Sequence, residues 1–484
     1  MDTADPVEVG RSDGSETQQS ASPGPSSAPI SVPKKPSELT EQPAISSLTQ
    51  HFKGVWQSVL DGSDEAEDSE QCGEAAEIAL RQSEKLKDGT PVFRIVMTGG
   101  PCAGKSTGMA VVAERLRSRG FEVYMVAEAA TLLFTGGANF RLLNTELKVI
   151  EFQASLLKTQ MTLEDAFVNV ARVSQRPSVI LCDRGTMDGA AYMSPSMWDT
   201  MLKMNGWTQA NLRDDRYEAV IHLVTAADGK PEFYSLLNNM TRTEPPEEAI
   251  ALDTKLRRCW VGHRRQYVVD NSTGFEEKIN RAYKFVAEAV GLPTPGSQTL
   301  RKKYLVRLVD RQALEELEEV QFFEVVQTVL MRKSAHEGIT NEIEANVEEW
   351  VRRRSADGVH HYSHTVRRPG PGGTRVELKR QLTHREYNTL LAFEDSSSKP
   401  LTLERCCFVV GKQVFVMDTL QDSGIILLRT QLDREGAEGL RGESLLWIPP
   451  FVQVESEVTG DTSFSIAALA KCEKQDKSVE TSVS

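Results

Sequence analysis

The residues with the clearest chemistry are Gly99, Gly100, Pro101, Cys102, Ala103, Gly104, Lys105, Ser106 and Thr107. They contain the pattern Gly-x-x-x-x-Gly-Lys-Ser, in which backbone N–H groups wrap a phosphate chain. Lys105 is placed to reach the β- and γ-phosphates, and the Ser106 hydroxyl to ligate Mg²⁺. Glycine permits the tight turns, and the helix that must follow adds partial positive charge at its start. The expected cofactor is therefore Mg²⁺ with ATP or GTP. Cys102 reads as a small residue tolerated inside the loop.

Such a loop works only between a strand and a helix. An apolar run at 92–97 and a helically spaced segment at 107–116 supply both. A second apolar run, 178–182, ends in Asp183, where an acid can hold the same metal directly or through water. Metal ligation is thus expected from Ser106 and Asp183. The sequence Asp183-Arg184-Gly185 resembles P-loop kinases of nucleosides and related small molecules. That resemblance implies that Arg184 binds phosphate or substrate. It also implies that Glu128, at the end of another strand, orients or deprotonates a substrate hydroxyl. The catalytic set expected is Lys105, Asp183, Glu128 and Arg184. An arginine-rich stretch follows, with Arg242, Arg257, Arg258, Arg264 and Arg265 beside Trp260 and His263. It resembles a kinase lid, with Arg257 and Arg258 as the expected phosphate contacts. Asn271 is a candidate base contact. No Asn-Lys-x-Asp guanine signature is present, so ATP and GTP remain equally open.

Together these pieces resemble the P-loop domain of nicotinamide-riboside-kinase-type proteins and of the TRPL translocation defect family, over about residues 92–290. The elements needed to hold them are legible. Strands are expected at 93–98, 122–126, 179–182, 220–225 and 266–270, alternating with helical segments. That alternation implies a parallel sheet covered on both faces. Ligands bind such sheets beyond the carboxyl ends of the strands. The P-loop unit is placed at 89–296 and ends in the linker Pro293-Thr294-Pro295-Gly296.

Residues 297–472 change character. Short β-like runs at 303–309, 321–330, 349–354, 360–367, 375–382, 403–410, 414–418 and 425–432, separated by Gly/Pro turns, predict an antiparallel barrel or sandwich. A helix is expected at 384–393. The half resembles the CYTH, or triphosphate-tunnel, fold in Arg301-Lys302-Lys303-Tyr304-Leu305-Val306, Val366-Arg367-Arg368, Arg375-Val376-Glu377-Leu378-Lys379 and the segment 455–461. The resemblance implies a closed barrel and a first strand reading Glu-x-Glu-x-Lys. Here those positions are Thr299, Arg301 and Lys303, so the metal-binding acids are missing. Glu377 survives with Lys379 as its neighbour, and another acidic pair is replaced by Arg429 and Gln431. Strand alternation puts Arg301, Lys303 and Arg307 on one face. Arg367, Arg375, Lys379, Arg405 and Arg429 are expected to join them as a polyanion site that needs no metal. Phosphoinositide headgroups or other polyphosphates are the ligands this implies. The resemblance also implies GTP and phosphoinositide binding linked to membrane-protein trafficking. His360, His361 and His364 read as polar strand residues rather than a metal cluster.

The chain has 484 residues and a net charge of −13, which argues against general nucleic-acid binding. Residues 1–45 are Ser/Pro-rich and read as disordered. Residues 46–88 form an acidic leader with a helix expected at 73–87, and 473–484 a polar tail. Seven dispersed cysteines without a Cys-x-x-Cys pair fit reduced thiols. No stretch reaches the apolar length of a membrane span, and the acidic start is neither a secretory nor a transit signal. The expected location is cytoplasmic, with peripheral contact at membranes. Three functions stay open. One is a nucleotide-binding adaptor that also binds an anionic headgroup. The second is a small-molecule kinase or slow NTPase. The third is a residual triphosphatase in the barrel.

Overall fold

The structure, a computed structural model, describes residues 91–139, 141, 143–234, 245–292, 299–331, 347–356, 358–369, 375–433 and 447–471. The expected tails, the leader with its helix at 73–87, the 293–296 linker, Arg242, Cys72 and Cys472 lie outside the described residues. Both sheets belong to one compact unit.

In chain order the first half runs β1 (Val92–Thr98), α1 (Lys105–Ser118), β2 (Glu122–Val126), α2 (Ala129–Thr135), α3 (Glu146–Ser174) and β3 (Ser178–Asp183). It continues through α4 (Pro195–Asn205), α5 (Gln209–Arg213), β4 (Ala219–Leu223), α6 (Pro246–Arg258), β5 (Gln266–Val269) and α7 (Phe275–Ala289). The five strands form a parallel sheet in the order β2-β3-β1-β4-β5. Both faces are covered because alternate apolar residues point to opposite sides. Ile95 and Met97 pack with Val112, Leu116 and Phe285 on the α1/α7 face. Val96 and Ile180 pack with Leu157, Met201 and Trp260 on the other. The glycine loop follows central strand β1, Asp183 ends central strand β3, and Glu128 follows edge strand β2, so all three stand at the carboxyl edge of the sheet.

The second half runs β6 (Thr299–Val309), α8 (Arg311–Glu315), β7 (Val320–Val329), β8 (Glu348–Ala356), β9 (Val359–Pro369), β10 (Arg375–Leu382) and α9 (His384–Leu391). Then come β11 (Leu401–Val410), β12 (Gln413–Leu420), β13 (Ile426–Asp433), β14 (Val452–Glu457) and α10 (Ile466–Leu469). Its strands make one nine-stranded antiparallel sheet, ordered β10-β9-β8-β7-β11-β12-β13-β6-β14. The expected closed barrel is corrected: among the described residues β10 and β14 end the sheet and do not pair. The eight expected strands are present, and β14 is additional. Short polar β14 (VQVESE) shows little apolar alternation, and register shifts interrupt its pairing with β6. One face buries Tyr304, Val306, Phe408, Phe415 and Leu428.

The halves meet around Phe323. Gly262 lies so close that an added Cβ would sit 2.9 Å from the Phe323 ring, and Arg354 stacks on that ring at 4.0 Å. Asp214 pairs with both Arg213 and Arg354, and Arg354 donates to the Gly262 carbonyl.

Candidate functional site

The glycine loop closes on itself in a way only glycine allows at two points. Gly99 has φ +139°, and a Cβ there would lie 1.9 Å from the Leu223 carbonyl oxygen. Gly104 has φ +85° and N-caps α1. Lys105 Nζ donates to the carbonyls of Gly99 (3.0 Å) and Gly100 (3.2 Å). Burial, reinforced by neighbouring Arg184, lowers its pKa to about 8. One acid and one lysine brace the loop from behind. Asp253 on α6 accepts from the backbone N–H groups of Gly100 (2.8 Å) and Thr225 (3.0 Å) and pairs with His222 at 3.0 Å. Lys278 on α7 donates to the Ala103 and Val224 carbonyls and to Asn271 Oδ1. Sequence reasoning missed Asp253 and Lys278. Both are charged residues inside amphipathic helices, and no local signal marks them as buried.

Ser106 Oγ lies 3.5 Å from Asp183 Oδ2. Asp183 Oδ1 is buried with no hydrogen-bond partner among the described residues. Burial raises the Asp183 pKa against the pull of Lys105. A carboxylate with a free buried oxygen beside a hydroxyl and a lysine fits a hard cation and phosphate oxygens. Mg²⁺ would therefore be held by Ser106 and Asp183.

Arg184 adopts φ +75°, unusual for a residue with a Cβ. Asp188 helps fix that turn. It accepts from Thr98 Oγ1 at the end of β1, from the Gly185 N–H and from Trp260 Nε1. Gly185 is tight against Trp260, since a Cβ would meet the indole at 2.7 Å. So directed, Arg184 donates to the Gly99 carbonyl (2.9 Å) and pairs with Glu128 (3.3 Å). Burial opposes its charge, but Tyr192, Asp188, Glu128 and Asp183 around it raise its pKa. Burial would raise the Glu128 pKa; Arg184 and the Thr131 hydroxyl overcome this and hold it below the usual range. Lys105, Glu128, Asp183 and Arg184 are thus one constellation.

The two lid arginines separate. Arg257 is buried one turn beyond Asp253, with Nε and Nη1 unpartnered among the described residues. Arg258 forms an ion pair with Glu318 of the second half. Asn271 is engaged as a brace: its amide donates to the Thr225 and Asp228 carbonyls and its oxygen takes Lys278. Its expected role in base contact is corrected on that ground.

In the second sheet, pairing places Lys303, Arg429, Arg405, Arg352, Arg367 and Lys379 on one face. Burial lowers the Lys303 pKa to about 8, helped by Arg429 and by Arg367. Arg367 stands six strands away in the sheet order, about 29 Å if the sheet were flat. Arg367 and Lys303 share that face of the sheet. Arg405 is not a bare cation there: Asp418 grips it with both oxygens (2.7 and 3.0 Å) and also pairs with Arg429. Arg367 stacks on Trp350 and pairs with Glu348. Arg301 is exposed and pairs with Glu288 on α7, and Arg307 is exposed. Both therefore lie outside the basic cluster. Arg375 is placed by its β10 backbone alone. No group of three metal-ligating side chains occurs among the described residues. His360, His361 and His364 bond separately to Ser355, Asp215 and Glu349. No helix among the described residues is long and apolar enough to cross a membrane.

The fold and the loop define a P-loop NTPase-like nucleotide-binding domain. Residues 94–278 match the family model described as an AAA domain. Among solved structures, the PH1819 protein from Pyrococcus horikoshii OT3 is 14% identical, with 28% of this chain and 77% of that chain covered at a TM-score of 0.23. No curated protein matches the chain.

Proposed function

We propose that the chain binds Mg²⁺ with ATP or GTP at the glycine loop and a polyphosphate anion on the basic face of its antiparallel sheet. A phosphoinositide headgroup is the natural anion, which makes the protein a nucleotide-regulated adaptor in peripheral contact with membranes. The observation that carries the nucleotide half is the Ser106–Asp183 pair with its orphaned carboxylate oxygen. When bound, Mg²⁺ would neutralise charge on the β- and γ-phosphates. Lys105 exchanges its two loop carbonyls for phosphate oxygens, and Arg257 and Arg258 are the proposed lid contacts. Lys303, Arg429, Arg367, Lys379 and Arg375 supply the anion face; Arg405 lies on it neutralised by Asp418, and Arg301 and Arg307 lie outside it. The resemblance to the triphosphate-tunnel fold supports the same face.

Calorimetry on the full chain tests both halves. Lys105→Ala is expected to abolish nucleotide uptake and leave inositol hexakisphosphate uptake intact. Lys303→Ala with Arg429→Gln is expected to do the reverse and to lose flotation with phosphoinositide vesicles. Unchanged uptake in either variant would sink that half of the reading.

The Glu128–Arg184 pair favours a second reading, phosphoryl transfer to a small hydroxyl compound. Glu128 takes the hydroxyl proton while Arg184 holds the transferring phosphate. Radiolabelled triphosphate offered with a metabolite panel decides it. Hydrolysis without any labelled acceptor would rule it out.

A further inference from the structure

Phe275, the first residue of α7, lies against the glycine loop yet is 51% exposed. A Cβ on Gly104 would meet its Cε2 at 2.4 Å, so one edge of the ring covers the loop while the remainder meets solvent. Among the described residues no other ring packs on it. Phe275 stands beyond the carboxyl end of β5, on the side of the sheet where ligands of this architecture bind. Two polar residues of the preceding loop are occupied. Asn271 has both its amide and its carbonyl engaged, and Asp270 is held by Ser272 and Arg281. What this corner offers a nucleobase is therefore an aromatic face.

We infer that Phe275 is the stacking platform for the base of the nucleotide held by the loop, so that the base is gripped by its face. The inference rests on the nucleotide reading above. It assigns base binding to a residue different from Asn271. Stacking supplies affinity with little edge recognition, because every base has a π-face.

The test is competition against a fluorescent nucleotide with Mg²⁺, using the full chain. Unlabelled ATP, GTP and inorganic tripolyphosphate are the competitors. Phe275→Leu keeps an apolar contact with Gly104 but lacks the ring, and Phe275→Trp restores one. With Leu, ATP and GTP are expected to weaken about 5- to 100-fold, while tripolyphosphate competes as in the wild type; Trp restores both nucleotides. Equal weakening of tripolyphosphate would make Phe275 a brace for Gly104 and overturn the inference. Unchanged ATP and GTP would overturn it as well. Failure of wild-type protein to take up any of the three ligands would instead overturn the nucleotide reading itself, and this inference with it.

Discussion

Ser106 Oγ and Asp183 Oδ2 face each other at 3.5 Å across the start of α1 and the end of β3, 77 residues apart in sequence. The gap is longer than a good hydroxyl–carboxylate bond, and Asp183 keeps its other oxygen buried and unpartnered. The fold holds a carboxylate there that is costly without a cation, because burial raises its pKa. The sign follows: ionised Asp183 weakens the empty protein as pH rises through its folded value. Asp183→Asn is therefore expected to raise Tm without ligand and to remove most of the Mg²⁺-dependent stabilisation by nucleotide. Thermal melts with and without Mg²⁺ and ATP check both effects; a lowered ligand-free Tm would refute the account.

Lys105 gives a pH dependence of the opposite kind. Its amine loses a proton near pH 8 in the empty loop. The charged form is the one that binds phosphate, so nucleotide affinity is expected to fall as pH rises from 8 to 9.5, approaching tenfold per unit. Proton uptake on binding should appear in calorimetry across buffers of different ionisation enthalpy. Lys105→Arg would flatten the profile.

Asp253 anchors the loop from α6, 153 residues away from Gly100. Burial alone would raise its pKa; His222, Arg257 and the Gly100 N–H hold it well below the ordinary range. A lowered folded value means stability present above the unfolded pKa of about 4 and lost on acidification. Asp253→Ala leaves two buried N–H groups and His222 unpaired, and is expected to cost about 3 kcal/mol. Urea unfolding at pH 7 and pH 3.5 would show the mutational loss shrinking at the lower pH.

Asp418 carries the most useful contrast in the second half. It neutralises Arg405 and Arg429 together. Asp418→Asn leaves a buried guanidinium with a weaker partner, so Tm should fall. The same change releases positive charge on the basic face, so inositol hexakisphosphate should bind several-fold tighter. Tighter binding with lower stability separates an anion site from a purely structural ion pair.

Phe323 joins the halves through Gly262, Arg213 and Arg354. Phe323→Ala is expected to cost about 3–5 kcal/mol and to split one calorimetric transition into two. A single transition at lower temperature would instead mean that the halves stay coupled through the remaining ion pairs.

The sequence by itself determined the phosphate loop, the five parallel strands and Asp183, because each depends on local spacing. A glycine pattern sets its own turns, and an apolar run between two helical segments has only a sheet interior to occupy. It also placed eight of the nine strands of the second sheet, and the alternation that sorts Lys303 from Tyr304. Tertiary structure alone decided what those charges meet. Asp253, Lys278 and Asp418 are ordinary charged residues in sequence; only packing shows each buried against one partner set. Whether the sheet closes was likewise beyond local reading. Closure depends on register between the first and last strands, and that register is a property of the assembled sheet, which here gathers its cations on one face and leaves β10 and β14 unpaired with each other.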